Sequence, residues 1–518
     1  MFMFLCIFFL IAQIFQNGHK VTKKIFTYAR AGNIIYNLRA FFLKQHLHLP
    51  ILFVILHSIM QETKKVPTEL GTQNIGSLLL KYALPAIIAM TASSILNIVD
   101  CAFIGNGAGQ DAIAGLATTL PFMNLAAAFG AMVGVGASSI ISIRLGQRDY
   151  KTAQHVLGNT ITLNIVISIL FALLCWIFLD PMLDLFGAKS ELTRMYASEY
   201  MQVLLLGNVI THCYLGLNSV IRSAGHPKLS MICTITAVCI NTLLDWLFVI
   251  EWKTGIQGAA IATVIAQGVA LAMELVILSR NNELLHLQRG IYSINLTIIR
   301  QILAIGLSPC LMNICSCLVV ILINDGMFRY GGDAALGAYG IVNKVVFFFL
   351  MIVMGLNQGM QPIVGYNWGA RQNSRVWRCL KYTIIGATIV TTLGFLIGET
   401  MPGVIVRMMG ASGEMERIAI MGFRIDVMVF SLVGCQMVVS NFFQSIGHAG
   451  KSIFLSMSRQ LLFLIPGLII LPEFYGLPGV WFAIPLSDTI SIIFSVGMLV
   501  LLVRKTKRQE GNISVQAR

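Results

Sequence analysis

Leu84-Pro85-Ala86 returns as Ser308-Pro309-Cys310, and Asp111-Ala112-Ile113-Ala114-Gly115 returns as Asp333-Ala334-Ala335-Leu336-Gly337. Asn218 with Ser223-Ala224-Gly225-His226 is repeated by Asn441 with Ser445-Ile446-Gly447-His448, and Gly255-Ile256-Gln257-Gly258 by Gly476-Leu477-Pro478-Gly479. The offset stays between 221 and 224 residues, which marks one duplicated unit filling most of the chain. The fold must therefore be buildable twice from similar halves.

Composition decides what kind of halves. The chain is 57% hydrophobic and 11% charged, with a mean hydropathy of +0.80, more apolar surface than a soluble core can use. Runs long enough to cross a bilayer lie near 78–103, 112–143, 156–179, 200–220, 229–250, 256–278, 302–323, 336–364, 382–398, 418–443, 453–471 and 480–503. The expected fold is an all-α integral membrane protein of twelve transmembrane helices in two six-helix lobes. An even number of spans per copy makes both copies enter from the same side, so the lobes should be related by a pseudo-twofold axis along the membrane normal. Duplicated halves of this kind enclose a central path, the architecture of a transporter.

Loop charge orients the layout. Loops after even-numbered spans carry Arg144, Arg148, Lys151, Arg222, Lys228, Arg280, Arg289, Arg300, Arg371, Arg375, Arg378, Lys381 and Lys451, and the tail adds Arg504, Lys505, Lys507 and Arg508. Loops after odd-numbered spans carry only Lys189, Arg194, Lys253, Arg329, Arg407 and Arg417. The positive-inside bias puts both termini in the cytoplasm of a multi-pass protein of the cell inner (plasma) membrane. This asymmetry accounts for most of the net charge of +14, so no nucleic-acid surface is needed to explain it. The eleven cysteines form no C-x-x-C pair and read as small packing residues.

Four regions follow: an atypical extension at 1–59, an amino-terminal lobe at 60–290, a carboxy-terminal lobe at 291–505 and a cytoplasmic tail at 506–518. The extension lies outside the duplication and has its basic residues after its first apolar stretch, the reverse of a secretory signal. Met60 followed by Gln61-Glu62-Thr63-Lys64-Lys65 resembles an ordinary start, which makes a mis-assigned start codon the preferred reading and an interfacial anchor the alternative.

Ionisable groups inside the spans narrow the chemistry. A carboxylate at mid-helix costs about 2.5–3.5 kcal/mol on insertion scales and calls for a reason. Ser93, Asn97 and Asp100 share one face of the first span, and Asn241 and Asp245 share one face of the fifth. With Thr263 of the sixth span they offer oxygen ligands for Na⁺ or a shared-proton site, since neighbouring buried carboxylates resist joint ionisation. The bland alternative is that each Asp caps or bonds a neighbouring helix. Asp100 aligns with Asn324 and Asp245 with the apolar Leu468 region, so only the first copy keeps the acids. Lys344, with Asp325 or Asp426, forms a second candidate polar group in the carboxy-terminal lobe, read as a structural ion pair or a substrate contact. Glu274 and Asp488 read as near span ends and hydrated. Ser445-Ile446-Gly447-His448-Ala449-Gly450-Lys451-Ser452 imitates a phosphate loop but lacks the first Gly and a preceding strand, so ATP binding is not expected.

These residues resemble the multidrug and toxic compound extrusion (MATE) family over roughly 70–505. The resemblance rests on Leu84-Pro85-Ala86, Val99-Asp100, Arg222 to Lys228, Asn241 to Asp245, Gly258 to Thr263, and Gly359-Met360-Gln361-Pro362 with Tyr366-Asn367-Trp368-Gly369-Ala370. It implies a secondary antiporter, not an enzyme, exporting amphipathic or cationic compounds for Na⁺ or H⁺ with no other cofactor, working as a monomer among membrane lipids. It carries the coupling role onto Asp100, Asn241, Asp245 and Thr263, less firmly onto Tyr200 and Asn218. Two rivals stay open: a lipid-linked oligosaccharide flippase of the same superfamily, and a membrane-embedded enzyme, which would want a clustered His or Ser constellation.

Overall fold

Helices start where side chains can satisfy their free amide groups. Asn74 accepts from Gly76 N at 2.9 Å, Asp149 from Thr152 N at 3.2 Å, and Asn295 from Thr297 N and Ile298 N at 3.0 and 3.2 Å. The helices so begun are the first (Ile75–Ala108), third (Tyr150–Ile177) and seventh spans. A computed structural model of the chain describes residues 69–186, 190–280, 283–288 and 290–516. The amino-terminal extension and Met60 lie outside these residues.

Nine described helices are long and apolar enough to cross a bilayer, and two bent pairs each make a further span. The 74-residue helix Leu296–Gly369 reverses at Gly332, so it supplies the seventh and eighth spans and completes twelve. The second span is Gln110–Gly146 and the sixth Gly255–Leu278. Asn373–Thr400 is the ninth and Leu477–Gln516 contains the twelfth. The fourth and tenth spans are bent, by 57° between Glu191–Leu206 and Asn208–Ser223 and by 50° between Gly413–Val427 and Phe430–Ser445. Hydropathy alone starts the fourth span too late, because its first limb is polar: Arg194 there binds Asp180 and Asp184 at 3.0 and 2.8 Å.

Both fifth-position spans contain a π-helical turn. In the first copy Pro227–Asp245 runs into the wider turn Trp246–Glu251, and in the second Ala449–Met457 runs into Ser458–Leu464 before Ile465–Tyr475. Such turns recur at functional sites because they rotate the helix face that follows.

The duplication extends to the backbone. Gly109 and Gly332 take φ of 90° and 63°, Arg148 and Arg371 of 61° and 58°, Gly225 and Gly447 of 111° and 78°, and Gly255 and Gly476 of 65° and 60°. Gly332, with ψ −161°, lies in a region that only glycine occupies without strain. No atom lies within 4 Å of where its Cβ would stand, so Gly332→Ala should register backbone strain alone. We expect a loss of about 1–3 kcal/mol, read as a lower melting temperature of the purified protein.

One end of the bundle carries the basic loops around Arg144–Lys151, Arg222–Lys228 and Arg371–Lys381; we call it the basic end. The two halves meet there. The first two spans pack on the seventh and eighth, close enough that a Cβ on Gly136 would stand 2.1 Å from Ile302 O, on Gly306 1.8 Å from Met132 O, on Gly146 1.9 Å from Tyr366 O and on Gly369 2.1 Å from Ile143 O. Gln361 Nε2 adds bonds to Ser139 Oγ at 2.8 Å and Val135 O at 3.2 Å. Toward the other end Asn97, Cys101, Asn324 and Lys344 are exposed, so the cleft between the halves opens away from the basic end.

The first span belongs to both halves. Near the basic end Leu78, Leu79, Tyr82 and Ala83 join a core with Val353, Met360, Ile363, Val438 and Phe442 of the second half. Farther along, Ile104 packs with Tyr200, Val249, Ala259 and Ala260 of the first half.

Candidate functional site

Asp100 lies one turn before Ile104, where the first span enters the core of the first half. It is half-buried, and Asp245 is fully buried on the last turn of regular helix before the π turn. The two carboxyl groups lie beside each other, within reach of a shared proton. A hydrogen bond between two carboxyl groups requires a proton on one of them, and neighbouring buried carboxyls resist joint ionisation. Asp245 Oδ1 is buried without a partner.

Asn241, 2% exposed and one turn before Asp245, completes the site. Its amide is satisfied at both ends when the NH₂ donates to Asp100 Oδ1 at 3.1 Å and the carbonyl oxygen accepts from Thr263 Oγ1 and N at 3.3 and 3.2 Å. Thr263 Oγ1 also reaches Ala259 O at 3.0 Å. Tyr200, buried in the same core, lies within the field of both carboxyls. The first, fourth, fifth and sixth spans thus bring Asp100, Tyr200, Asn241, Asp245 and Thr263 to one place.

Other expected residues lie elsewhere. Asn97 is exposed one turn away on the first span. Asn218 belongs to a different buried group, donating to Glu274 Oε1 at 2.9 Å and accepting from Ser230 Oγ at 2.7 Å. Lys344 pairs with neither Asp325 nor Asp426 among the described residues. Lys344 and Asp325 are both exposed, and Lys344 stands near Cys101 of the first span, across the cleft. Asp426 instead neighbours a pair that the sequence reading missed, Arg459 with Asp488 at 3.2 Å. Glu274 and Asp488, expected to be hydrated, are 0% and 6% exposed. Glu274 is covered by the fourth and fifth spans: Asn218 donates to its Oε1 at 2.9 Å, and Tyr214, Arg222 and Cys233 lie nearby. The ten described cysteines are unbridged.

Twelve spans in two halves, a cleft between them and a pair of neighbouring carboxyl groups in one half define a membrane transporter. The MatE family model matches residues 85–247 and 304–469, one match on each copy of the duplication. The chain belongs to the MatE family and is a multi-pass membrane transporter, not an enzyme. Among its relatives, "Multidrug export protein MepA" of Staphylococcus haemolyticus (strain JCSC1435) is 25% identical over 417 residues, 80% of this chain and 91% of the relative. The solved structure of "MATE multidrug transporter DinF-BH", a complex with a bound compound, is 34% identical with a TM-score of 0.78, covering 86% of this chain and 98% of that one. A MATE family transporter solved in an "outward-facing conformation" has the same fold, with a TM-score of 0.79 at 22% identity over 87% of this chain and all of that one.

Proposed function

We propose that the protein exports amphipathic organic cations from the cell in exchange for protons, by alternating access of the cleft to the two membrane faces. The observation that carries the coupling role is the juxtaposition of Asp100 and Asp245, two carboxyl groups able to hold one proton between them, in a lobe whose duplicate has Asn324 in place of the first acid. The pair favours H⁺ as the coupling ion, because two neighbouring carboxyl groups can hold one proton between them, while Asn241 beside Asp100 and Thr263 can present either end of its amide.

The positive-inside bias makes the basic end cytoplasmic, within the inner (plasma) membrane. The cleft then faces outward. Proton binding from outside would favour substrate release to that side, and proton loss to the cytoplasm would reset the lobes, each shift limited by the ligand's differential affinity for the two states. Relatives named as multidrug export proteins and a similar structure named as a multidrug transporter support a broad organic substrate range.

The test is ethidium transport in everted vesicles containing the protein. A pH step at constant Na⁺ should drive uptake, and a Na⁺ step at constant pH should not. Drive by Na⁺ alone would replace the proton in this scheme, and drive by neither would remove ion exchange from it.

A further inference from the structure

A second buried polar group lies at the basic end and plays no part in the carboxyl site. Arg222, at the end of the fourth span, is 7% exposed and donates from Nη1 across the lobe boundary to Gln358 Oε1 of the eighth span at 2.5 Å. Gln358 Nε2 in turn faces Met90 Sδ of the first span at 3.4 Å. On its own lobe Arg222 keeps only a long contact, Nη2 to Ser219 Oγ at 3.4 Å.

Behind it stands Glu274 of the sixth span, fully buried and held by Asn218 at Oε1. Each charged group has one buried atom without a partner, Nε of Arg222 and Oε2 of Glu274. They act on each other electrostatically, yet no ion pair joins them among the described residues. Asn218, which holds Glu274, lies one helical turn before Arg222, so the free atom of each group is the partner within reach of the other once Arg222 leaves Gln358.

We propose that Arg222 is a two-position latch, a positioning residue for the transport cycle. With the basic end closed it bonds across the boundary to Gln358. With that end open, Gln358 is withdrawn and Arg222 swings onto Glu274, its counter-ion on the same lobe. Gln358 therefore favours the closed end and Glu274 the open one. The idea rests on the alternating-access reading above, and it gives opposite signs for two substitutions in one network.

Hydrogen exchange by mass spectrometry on the full-length protein in lipid nanodiscs, without added substrate, reads the opening directly in peptides spanning 135–146 and 361–369. Gln358→Ala should raise exchange there about tenfold, the factor expected from losing one charge-assisted hydrogen bond. Glu274→Gln should lower it by a similar factor. Gln358→Glu leaves the buried acid untouched and gives Arg222 a stronger cross-lobe partner, so it should also lower exchange; this covers the case where Glu274→Gln does not fold. Ethidium turnover should fall in all three, because each biases the cycle toward one state. A shift of Gln358→Ala and Gln358→Glu in the same direction, or exchange equal to wild type in both, would overturn the latch. If wild-type exchange at these peptides still responds to ethidium in that event, alternating access survives; if it is unmoved by ethidium and by a pH step, that reading fails with it.

Discussion

Replacing Asp245 by Asn is expected to leave the protein folded and to stop uphill export. The substitution keeps the shape of a fully buried side chain whose Oδ1 has no partner, so packing loses little. It removes the one thing an amide cannot do at this site, which is to take up and give back a proton against Asp100. In proteoliposomes each coupled proton supplies about 1.4 kcal/mol per pH unit, roughly a tenfold substrate gradient. Wild type should build that gradient across a one-unit pH step, whereas Asp245→Asn should only let substrate equilibrate. Asp100→Asn should behave alike. A mutant that still concentrates substrate would show that the carboxyl pair does not couple.

Adding one methyl group at Gly306 should have an effect of similar size by a different route. The new Cβ would stand 1.8 Å from Met132 O, far inside contact distance and against main chain that cannot step aside. The halves would have to part at the basic end. Overpacking of this kind costs about 1–3 kcal/mol, which shifts the ratio of closed to open forms by roughly 10- to 100-fold. Particle classes in electron cryomicroscopy should move from the form described above toward one open at the basic end, and ethidium export should fall. Gly340→Ala is the control, since nothing lies within 4 Å of its added carbon. Unchanged classes for Gly306→Ala would mean that this contact does not set the lobe equilibrium.

What could be read in the sequence was whatever an apolar background makes conspicuous. Asp100, Asn241, Asp245 and Thr263 stood out because polar groups at helical spacing in a span need a reason, and the helices bring these four together. The twelve spans were legible for the same reason, and the boundary at Gly332, where the chain turns on a single residue, was marked by Arg329 and Asp333. Sequence spacing could not report what covers a side chain. Glu274 lies four residues before the end of its helix and would be wet if it faced away from the bundle; instead it faces the fourth span, with Asn218 on its Oε1. Asn218 shares a helix face with no other marked residue, so its partner on the sixth span was invisible. Lys344 was paired with acids of its own lobe, while the eighth span turns it across the cleft. The π turns left no signal, because widening a helix by one residue changes neither hydropathy nor charge.

At Gly136, Gly146, Gly306 and Gly369 the boundary at the basic end brings backbone directly onto backbone. At those four points no side-chain rotation alone can make room for an ion, since main chain is what fills the space. Permeation requires whole helices to move apart over several turns together, so an idle molecule should conduct almost nothing even under a steep gradient. The same construction implies a strong temperature dependence of turnover, since a large dry contact must be broken in a single step before the next cargo can enter.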